Sequence, residues 1–330
     1  MSDLRVSIEG VSPSIRSAYE EAALGRALYG EAAIDWTFLG NKTPFSVARQ
    51  DGEVVGFSAY IRSQMKFGEK VGAGYQAVDS FVSERVRGRG IFTALARAYD
   101  QHVREVNGDF IWGFPNDNAA PVWFNKLDWQ KQGQVPFLIK PLRAGYFLRR
   151  FRLPGDFSID RNQDQNLAEI DQFGDWADAI WERVSRQVIC ATIRDKKYLT
   201  HRLLKAPNRS DYRIVADTDS AVGAFAVTRE AVKHGGRIAY LMEALGGQTL
   251  RDLLNSEMGR LRTRGVELVL AWAYPWSPNY KTLRKCGFFP LPQKLRPINI
   301  WFGTRACSSA AISANDKQNW HLSYLDSDTV

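Results

Sequence analysis

The stretch Ser83–Tyr99, SERVRGRGIFTALARAY, decides how this chain is read. It follows a strand-like run, Ala73–Val82, and opens a helix whose apolar positions Phe92, Leu95, Ala96, Tyr99 and Val103 keep a helical period. Its core is Arg85-Val86-Arg87-Gly88-Arg89-Gly90. Two glycines, two residues apart, let the backbone turn tightly and approach a ligand with no Cβ in the way. The first N–H groups of the following helix have no intrahelical acceptor, so they can bind an anion. Three arginines at alternate positions add positive charge, which suits a phosphate or pyrophosphate. Taken alone, the six residues fit a solvated strand-to-helix turn equally well. The spacing does exclude a G-x-x-x-x-G-K-[ST] loop, and the third glycine and acidic residue of a dinucleotide fingerprint are missing.

A second informative stretch is Asn116–Trp129, NDNAAPVWFNKLDW. It follows a short apolar strand, Phe110–Phe114, which stops at Pro115. Asn116 or Asn118 can cap the short helix, with Pro121 in its first turn. Arg85, Gly88 and Gly90, followed by this asparagine-containing strand exit, resemble the acyl-coenzyme A loop and downstream helix of the GNAT superfamily of N-acyltransferases. The resemblance implies that the pantetheine arm lies between two splayed parallel strands, best matched by Tyr75–Val82 and Phe110–Phe114. Backbone groups near Phe81 and Val82 would engage the arm, and N–H groups from Arg87 through Ile91, with Arg85, would hold the pyrophosphate. Asn116 either bonds the arm or completes the turn. The chain departs from the family in two places: Asp128 stands where a glycine is common, and Phe124 stands near the place of a proton-donating tyrosine. Phe cannot donate a proton.

From Tyr212 onward the order of elements repeats: strands at Tyr212–Ala216, Ala221–Thr228 and Arg237–Glu243, a helix over Thr249–Arg264, and an apolar strand over Val266–Tyr274. Pro278-Asn279 then opens a short helix that Gly287 terminates. Between Glu243 and Thr249 there is only Ala-Leu-Gly-Gly-Gln, so the cationic loop does not repeat. The expected fold is therefore α/β, with tandem GNAT-like domains that each hold a mixed sheet flanked by helices. The expected boundaries are residues 1–145 for the acyl-coenzyme A domain, 146–165 for a basic, aromatic seam, and 166–330 for the second domain. Gln134–Lys140 is expected to finish the first sheet, Leu167–Val188 to be a helix, and Trp320 onward to be an aromatic strand ending in Asp326-x-Asp328. The second domain shapes the acceptor side or supports the fold, with Tyr75, Tyr274, Trp276 and Asn279 as acceptor-binding candidates lining a cleft opposite the coenzyme A tail.

Asp79, Glu84, Glu243 and His321 lie near strand ends and are the candidates for a general base, with Asp79, Glu243 and His321 carried forward. His102, His201 and His234 are assigned to packing or surface roles. The cysteines Cys190, Cys286 and Cys307 have no metal-ligand spacing, so neither a metal site nor a disulfide framework is expected. The chain carries 45% hydrophobic and 24% charged residues, as an ordinary folded protein does. It has no leader pattern and no long uncharged apolar run, so a cytoplasmic protein without membrane insertion is expected. The formal charge of +8 suits polyanionic substrates, while the lack of zinc-finger or RNA-binding signatures argues against nucleic acid. Resemblance to double-domain bacterial members of surface polysaccharide synthesis implies an acyl-coenzyme A donor and a nucleotide-linked amino sugar as acceptor. Two alternatives stand beside it: a FemABX-like aminoacyltransferase, and a non-catalytic acyl-coenzyme A-binding or interaction protein. Self-association into a homo-oligomer is left open.

Overall fold

A computed structural model describes residues 4–22, 31–40, 42–160, 167–219, 221, 223–233, 235–296 and 298–327. In chain order the elements begin with β1 (Leu4–Glu9), α1 (Pro13–Glu21), α2 (Glu31–Ile34), β2 (Phe45–Gln50), β3 (Glu53–Phe67) and β4 (Lys70–Val82). Next come α3 (Ile91–Glu105), β5 (Phe110–Gly113), α4 (Ala120–Lys126) and β6 (Gln130–Gln134). After β7 (Phe137–Pro141) and α5 (Gly145–Arg150) follow α6 (Asp175–Ser185), β8 (Cys190–Thr192), α7 (Lys196–Leu199), β9 (Tyr212–Asp217), β10 (Ala224–Lys233) and β11 (Gly236–Gly246). The last are α8 (Leu250–Thr263), β12 (Leu268–Trp272), α9 (Tyr280–Lys285), β13 (Phe289–Pro290) and β14 (Trp301–Ala306).

These elements form two units of mixed α/β structure, as the sequence predicts. The first comprises residues up to Gln134 together with Asn299–Asn319, and its strands run in the order β1-β2-β3-β4-β5-β14-β6. Asp51 and Gly52, both at positive φ, make the hairpin turn between β2 and β3. Along β3, Phe57, Ala59 and Ile61 alternate with Tyr60, so the two sets face opposite sides of the sheet. One side packs Phe57 with Tyr19 of α1, Phe38 and Phe45. The other packs Tyr60 against Tyr99 of α3, with ring centroids 3.5 Å apart.

The second unit comprises Val135–Ile298 and the segment from Trp320, with strand order β13-β7-β12-β11-β10-β9. Leu250, Leu254, Met258 and Leu261 of α8 fill its core against β10, β11 and β12. Four sequence expectations change here. Gln134–Lys140 does not finish the first sheet: Pro136, which has no N–H to give a ladder, separates β6 from β7, and β7 pairs with β12 and β13 instead. Its place in the first sheet goes to β14, which lies between β5 and β6. The division consequently falls at Gln134 rather than near residue 145, and Asn299–Asn319 joins the first unit. The helix expected over Leu167–Val188 is confined to α6, with Gly174 as its extended N-cap. The residues from Trp320 form a bridge to Cys190 and a short 3-10 turn at Tyr324–Asp326 in place of a strand.

Candidate functional site

In the first unit, β4 and β5 pair in parallel only from Gly74–Phe110 to Ala77–Gly113. Gly113 is required at that last step, because a Cβ there would lie 2.9 Å from the Ala77 carbonyl oxygen. Beyond it β5 ends, while β4 continues to Val82 still paired to β3. On the β5 side, Val78–Val82 therefore present an open backbone edge, and Phe81 and Val82 lie on it half-buried. A bulge opposite Ala59 interrupts the β3–β4 register at Val78–Asp79. Asp79 is half-buried and accepts a hydrogen bond from the Tyr19 hydroxyl.

The glycine-arginine loop follows directly. Gly88 and Gly90 both adopt positive φ, at 81° and 77°, and Gly90 is the N-cap of α3 with no side chain to cap it. Among the described residues, the N–H groups from Gly88 through Thr93 find no acceptor. They are the donors that a pyrophosphate would need. The three arginines are not equivalent. Arg85 pairs with Glu53 at 2.6 Å, and Arg87 bonds Glu84 and the Val82 carbonyl. Arg89 is exposed and has no partner among the described residues. Asn116 is exposed, and its Oδ1 accepts from the N–H groups of Asn118 and Ala119, so that oxygen shapes the turn into α4. Only its Nδ2 is left to meet a ligand. The Phe124 ring lies against Gly303 of β14 and near the Lys131 ammonium, and it holds no proton to give. Tyr75 is buried, edge-on to Tyr99.

In the second unit, β11 and β12 pair in parallel from Ile238–Leu268 to Leu241–Ala271, and β11 again runs on alone. Here the open edge is occupied. The Ala244 carbonyl accepts from Asn279 Nδ2 at 2.9 Å, and the Ala244 N–H donates to Glu243 Oε1. The following turn holds no arginine, and its Gly247 N–H is bonded to the Gly223 carbonyl ahead of β10. This unit thus lacks the cationic loop and the open edge of the first.

The second unit instead holds a sealed polar cluster. Arg194, fully buried, bonds Glu243 Oε2 at 3.0 Å, Asp326 Oδ2 at 2.5 Å and the Thr192 carbonyl at 2.7 Å. Ser323 donates to Glu243 at 2.8 Å, and Thr192 donates to Asp326 at 3.0 Å. Burial works against the Arg194 charge, but Asp326 and Glu243 outweigh it and keep the guanidinium protonated. Burial likewise penalises the Glu243 carboxylate. Arg194, His321 and the Ala244 N–H overcome that penalty and hold its pKa down to about 2. His321, the other base candidate in this unit, lies with Nε2 3.8 Å from Glu243 Oε1. Sequence reasoning named both residues but missed Arg194, which organises them. It sits in the segment Ile193–Leu203, which as sequence fits an amphipathic helix packed by Tyr198, Leu199 and Leu203.

Tyr274 stacks on Trp276 at 4.6 Å, and the Trp276 indole N–H donates to the Trp320 carbonyl. Of these acceptor candidates, Asn279 and Tyr274 are buried and Trp276 is exposed. His102 is half-buried on α3 and His201 lies on the turn after α7, with both pKa values lowered by burial. His234, together with Asp328, falls outside the described residues. No group of metal-ligating side chains occurs among the described residues, and no described helix is long and apolar enough to cross a membrane.

Residues 13–127 match the acetyltransferase (GNAT) family. No curated protein matches the sequence. Among solved structures, the chain is similar to a conserved protein of unknown function from Enterococcus faecalis, described as a probable N-acyltransferase. The match has a TM-score of 0.63 and 12% identity, and covers 95% of this chain and 74% of the other. A GCN5-related N-acetyltransferase from Anabaena variabilis matches with TM-score 0.63 and 11% identity, over 92% and 73% of the two chains. N-myristoyltransferase from Saccharomyces cerevisiae with bound myristoyl-CoA matches with TM-score 0.55 and 11% identity, over 92% and 83%. These likenesses extend the shared fold to nearly the whole chain, and the match to the acetyltransferase (GNAT) family covers residues 13–127.

Proposed function

We propose that the protein transfers an acyl group from acyl-coenzyme A to the amine of a small acceptor, a nucleotide-linked amino sugar, using one donor site in the first unit. The observation that carries this reading is the continuity of an open strand edge, Val78–Val82, with unpaired N–H groups from Gly88 through Thr93. An extended amide-bearing arm can bond the edge while its diphosphate meets the helix N-terminus. Arg85, Arg87 and Arg89 surround that end with charge, Gly88, Gly90 and Ile91 bring the backbone close, and Phe81, Val82 and Asn116 Nδ2 face the arm.

The reaction joins the amine nitrogen to the acyl carbon and breaks the carbon–sulfur bond. Backbone N–H groups on the open edge can donate to the carbonyl oxygen as negative charge gathers there. Asp79 takes the amine proton, directly or through water, and the Tyr19 hydroxyl orients its carboxylate. The proton then goes to the departing sulfur. Phe124 cannot deliver it, which favours water or direct protonation as the intermediate breaks down. Glu243 is a poor base in comparison, since its pKa of about 2 and saturated hydrogen bonds favour the ionised, occupied form.

The acceptor assignment draws on the sequence resemblance and on the formal charge of +8, which suits a second phosphate-bearing substrate. The assay supplies acyl-coenzyme A donors with dTDP- or UDP-linked amino sugars, polyamines and peptides. Turnover with a nucleotide sugar is the expected result. Turnover only with peptides or polyamines would sink the acceptor, and no binding of any acyl-coenzyme A would sink the donor site.

A further inference from the structure

We propose that the first unit contains a second binding site, a pocket that takes a small organic anion with a ring or other flat apolar body. The pocket has a volume of about 700 Å³, within the range of small-molecule sites. It opens where β1 and β2 stop and the longer β3–β4 hairpin continues, with the C-terminal turn of α3 beside it. Phe38, Pro44 and Tyr75 supply apolar and aromatic walls, and His102 of α3 adds an imidazole. Burial lowers the His102 pKa, which leaves the ring available as a neutral hydrogen-bonding group.

The sign of the site comes from Lys42 and Arg62. Both line the pocket, both are exposed, and neither side chain makes a hydrogen bond or ion pair among the described residues. This sets them apart from Arg16, Arg49, Arg85, Arg87, Arg104 and Arg305 of the same unit, each of which pairs with a carboxylate. No Asp or Glu is among the described lining residues. Glu105, the acid that acts on His102, faces outward and accepts from Gln101 instead. The α3 carbonyls at His102, Val103 and Arg104 accept from Val106, Gly108 and Asn107, so the helix end offers the pocket little free negative charge. Two unpaired cations over an aromatic floor recognise a carboxylate or phosphate at one end of a ring-bearing molecule. The site stands independently of the acyl-transfer reading, because none of its lining residues belongs to the loop or the open edge of β4.

The experiment titrates uridine diphosphate and, separately, phenylacetate into the full chain, with and without saturating coenzyme A. At least one of the two should bind in both conditions. Its Kd should rise about tenfold or more in Arg62→Glu and in Lys42→Glu, and stay unchanged in Lys70→Glu, an exposed site outside both the pocket and the loop. Binding of uridine diphosphate alone assigns a phosphate-bearing ligand, and binding of phenylacetate alone assigns a carboxylate. Because Arg62 and Lys42 are exposed and unpaired, these variants should keep the wild-type circular dichroism spectrum. The proposal is overturned if neither anion binds, if coenzyme A abolishes the binding, or if both pocket variants bind as the wild type does.

Discussion

Asp79 and Glu243 occupy the same step of two matching strand pairs. Each lies two residues past the last parallel-paired residue of its strand, Ala77 opposite Gly113 and Leu241 opposite Ala271. Asp79 sits within a bulge of the ladder to the preceding strand, and Glu243 directly follows one at Met242. What differs is the setting. Asp79 is half-buried beside an open edge, whereas Glu243 is sealed by Arg194, Ser323 and the N–H of Ala244. In the proposed mechanism the first position keeps a carboxylate where a substrate amine can arrive, while the second is held by its buried partners.

Removing the basic group at Asp79 should therefore slow chemistry without loosening the donor. For Asp79→Asn, kcat should fall on the order of 10²- to 10⁴-fold, with coenzyme A affinity within twofold of wild type by calorimetry. Tyr19→Phe, which deletes the orienting hydroxyl, should give a smaller loss of kcat. An Asp79→Asn enzyme with wild-type kcat would remove this residue from the mechanism.

In the loop, Arg89 should matter more than Arg87 for coenzyme A affinity. Arg87 already has Glu84 and the Val82 carbonyl as partners, while Arg89 has none among the described residues. Arg89→Ala should weaken binding by about 1.5–3 kcal/mol, the scale of a charge-assisted hydrogen bond. Gly90→Val should cost more, because its φ of 77° is strained for a β-branched residue and its side chain would enter the anion's space. Equal affinities for Arg87→Ala and Arg89→Ala would contradict this ranking.

The loop and the tandem order were legible because their signals are local. Gly88 and Gly90 mark a turn, Asp51-Gly52 marks a hairpin, and alternating apolar residues mark strands within a few positions. The exchange of strands was not legible, because the placement of β14 between β5 and β6 is decided by contacts nearly two hundred residues apart in sequence. Nothing within Trp301–Ala306 distinguishes one sheet from the other. The buried cluster was half legible. Glu243 and His321 stand out as titratable groups near strand ends, but Arg194 gains its meaning only when the chain from Trp320 folds back to bring Ser323 and Asp326 to it.

Breaking that cluster should cost stability out of proportion to its size. Arg194→Met leaves two buried carboxylates, Glu243 and Asp326, without their shared cation. Removing one partner of a buried pair typically costs about 3–5 kcal/mol. Chemical denaturation should show a loss of that order. Arg194→Met combined with Glu243→Gln and Asp326→Asn should recover part of it, because the uncompensated charges are then gone. A single Arg194→Met variant as stable as wild type would show that the cluster contributes little.

The same cluster fixes how stability responds to acid. The Glu243 carboxyl has its pKa lowered from 4.5 to about 2 in the folded chain, so the folded state favours its ionised form. The stabilisation is complete above the unfolded pKa and disappears as pH falls through the folded one, which places the loss between about pH 4.5 and 2. Its size should be a few kcal/mol, on the order expected for a buried carboxylate held by a guanidinium. Glu9, lowered mainly by its hydrogen bond to Arg49, adds a smaller and more exposed contribution in the same direction. Glu243→Gln cannot titrate, so the variant should be less stable than wild type at pH 6 and should lose less on going to pH 3. Denaturant midpoints at the two pH values measure the difference, with Glu9→Gln as the surface comparison. If wild type and Glu243→Gln lose the same stability over this interval, the Glu243–Arg194 pair is not what acid breaks.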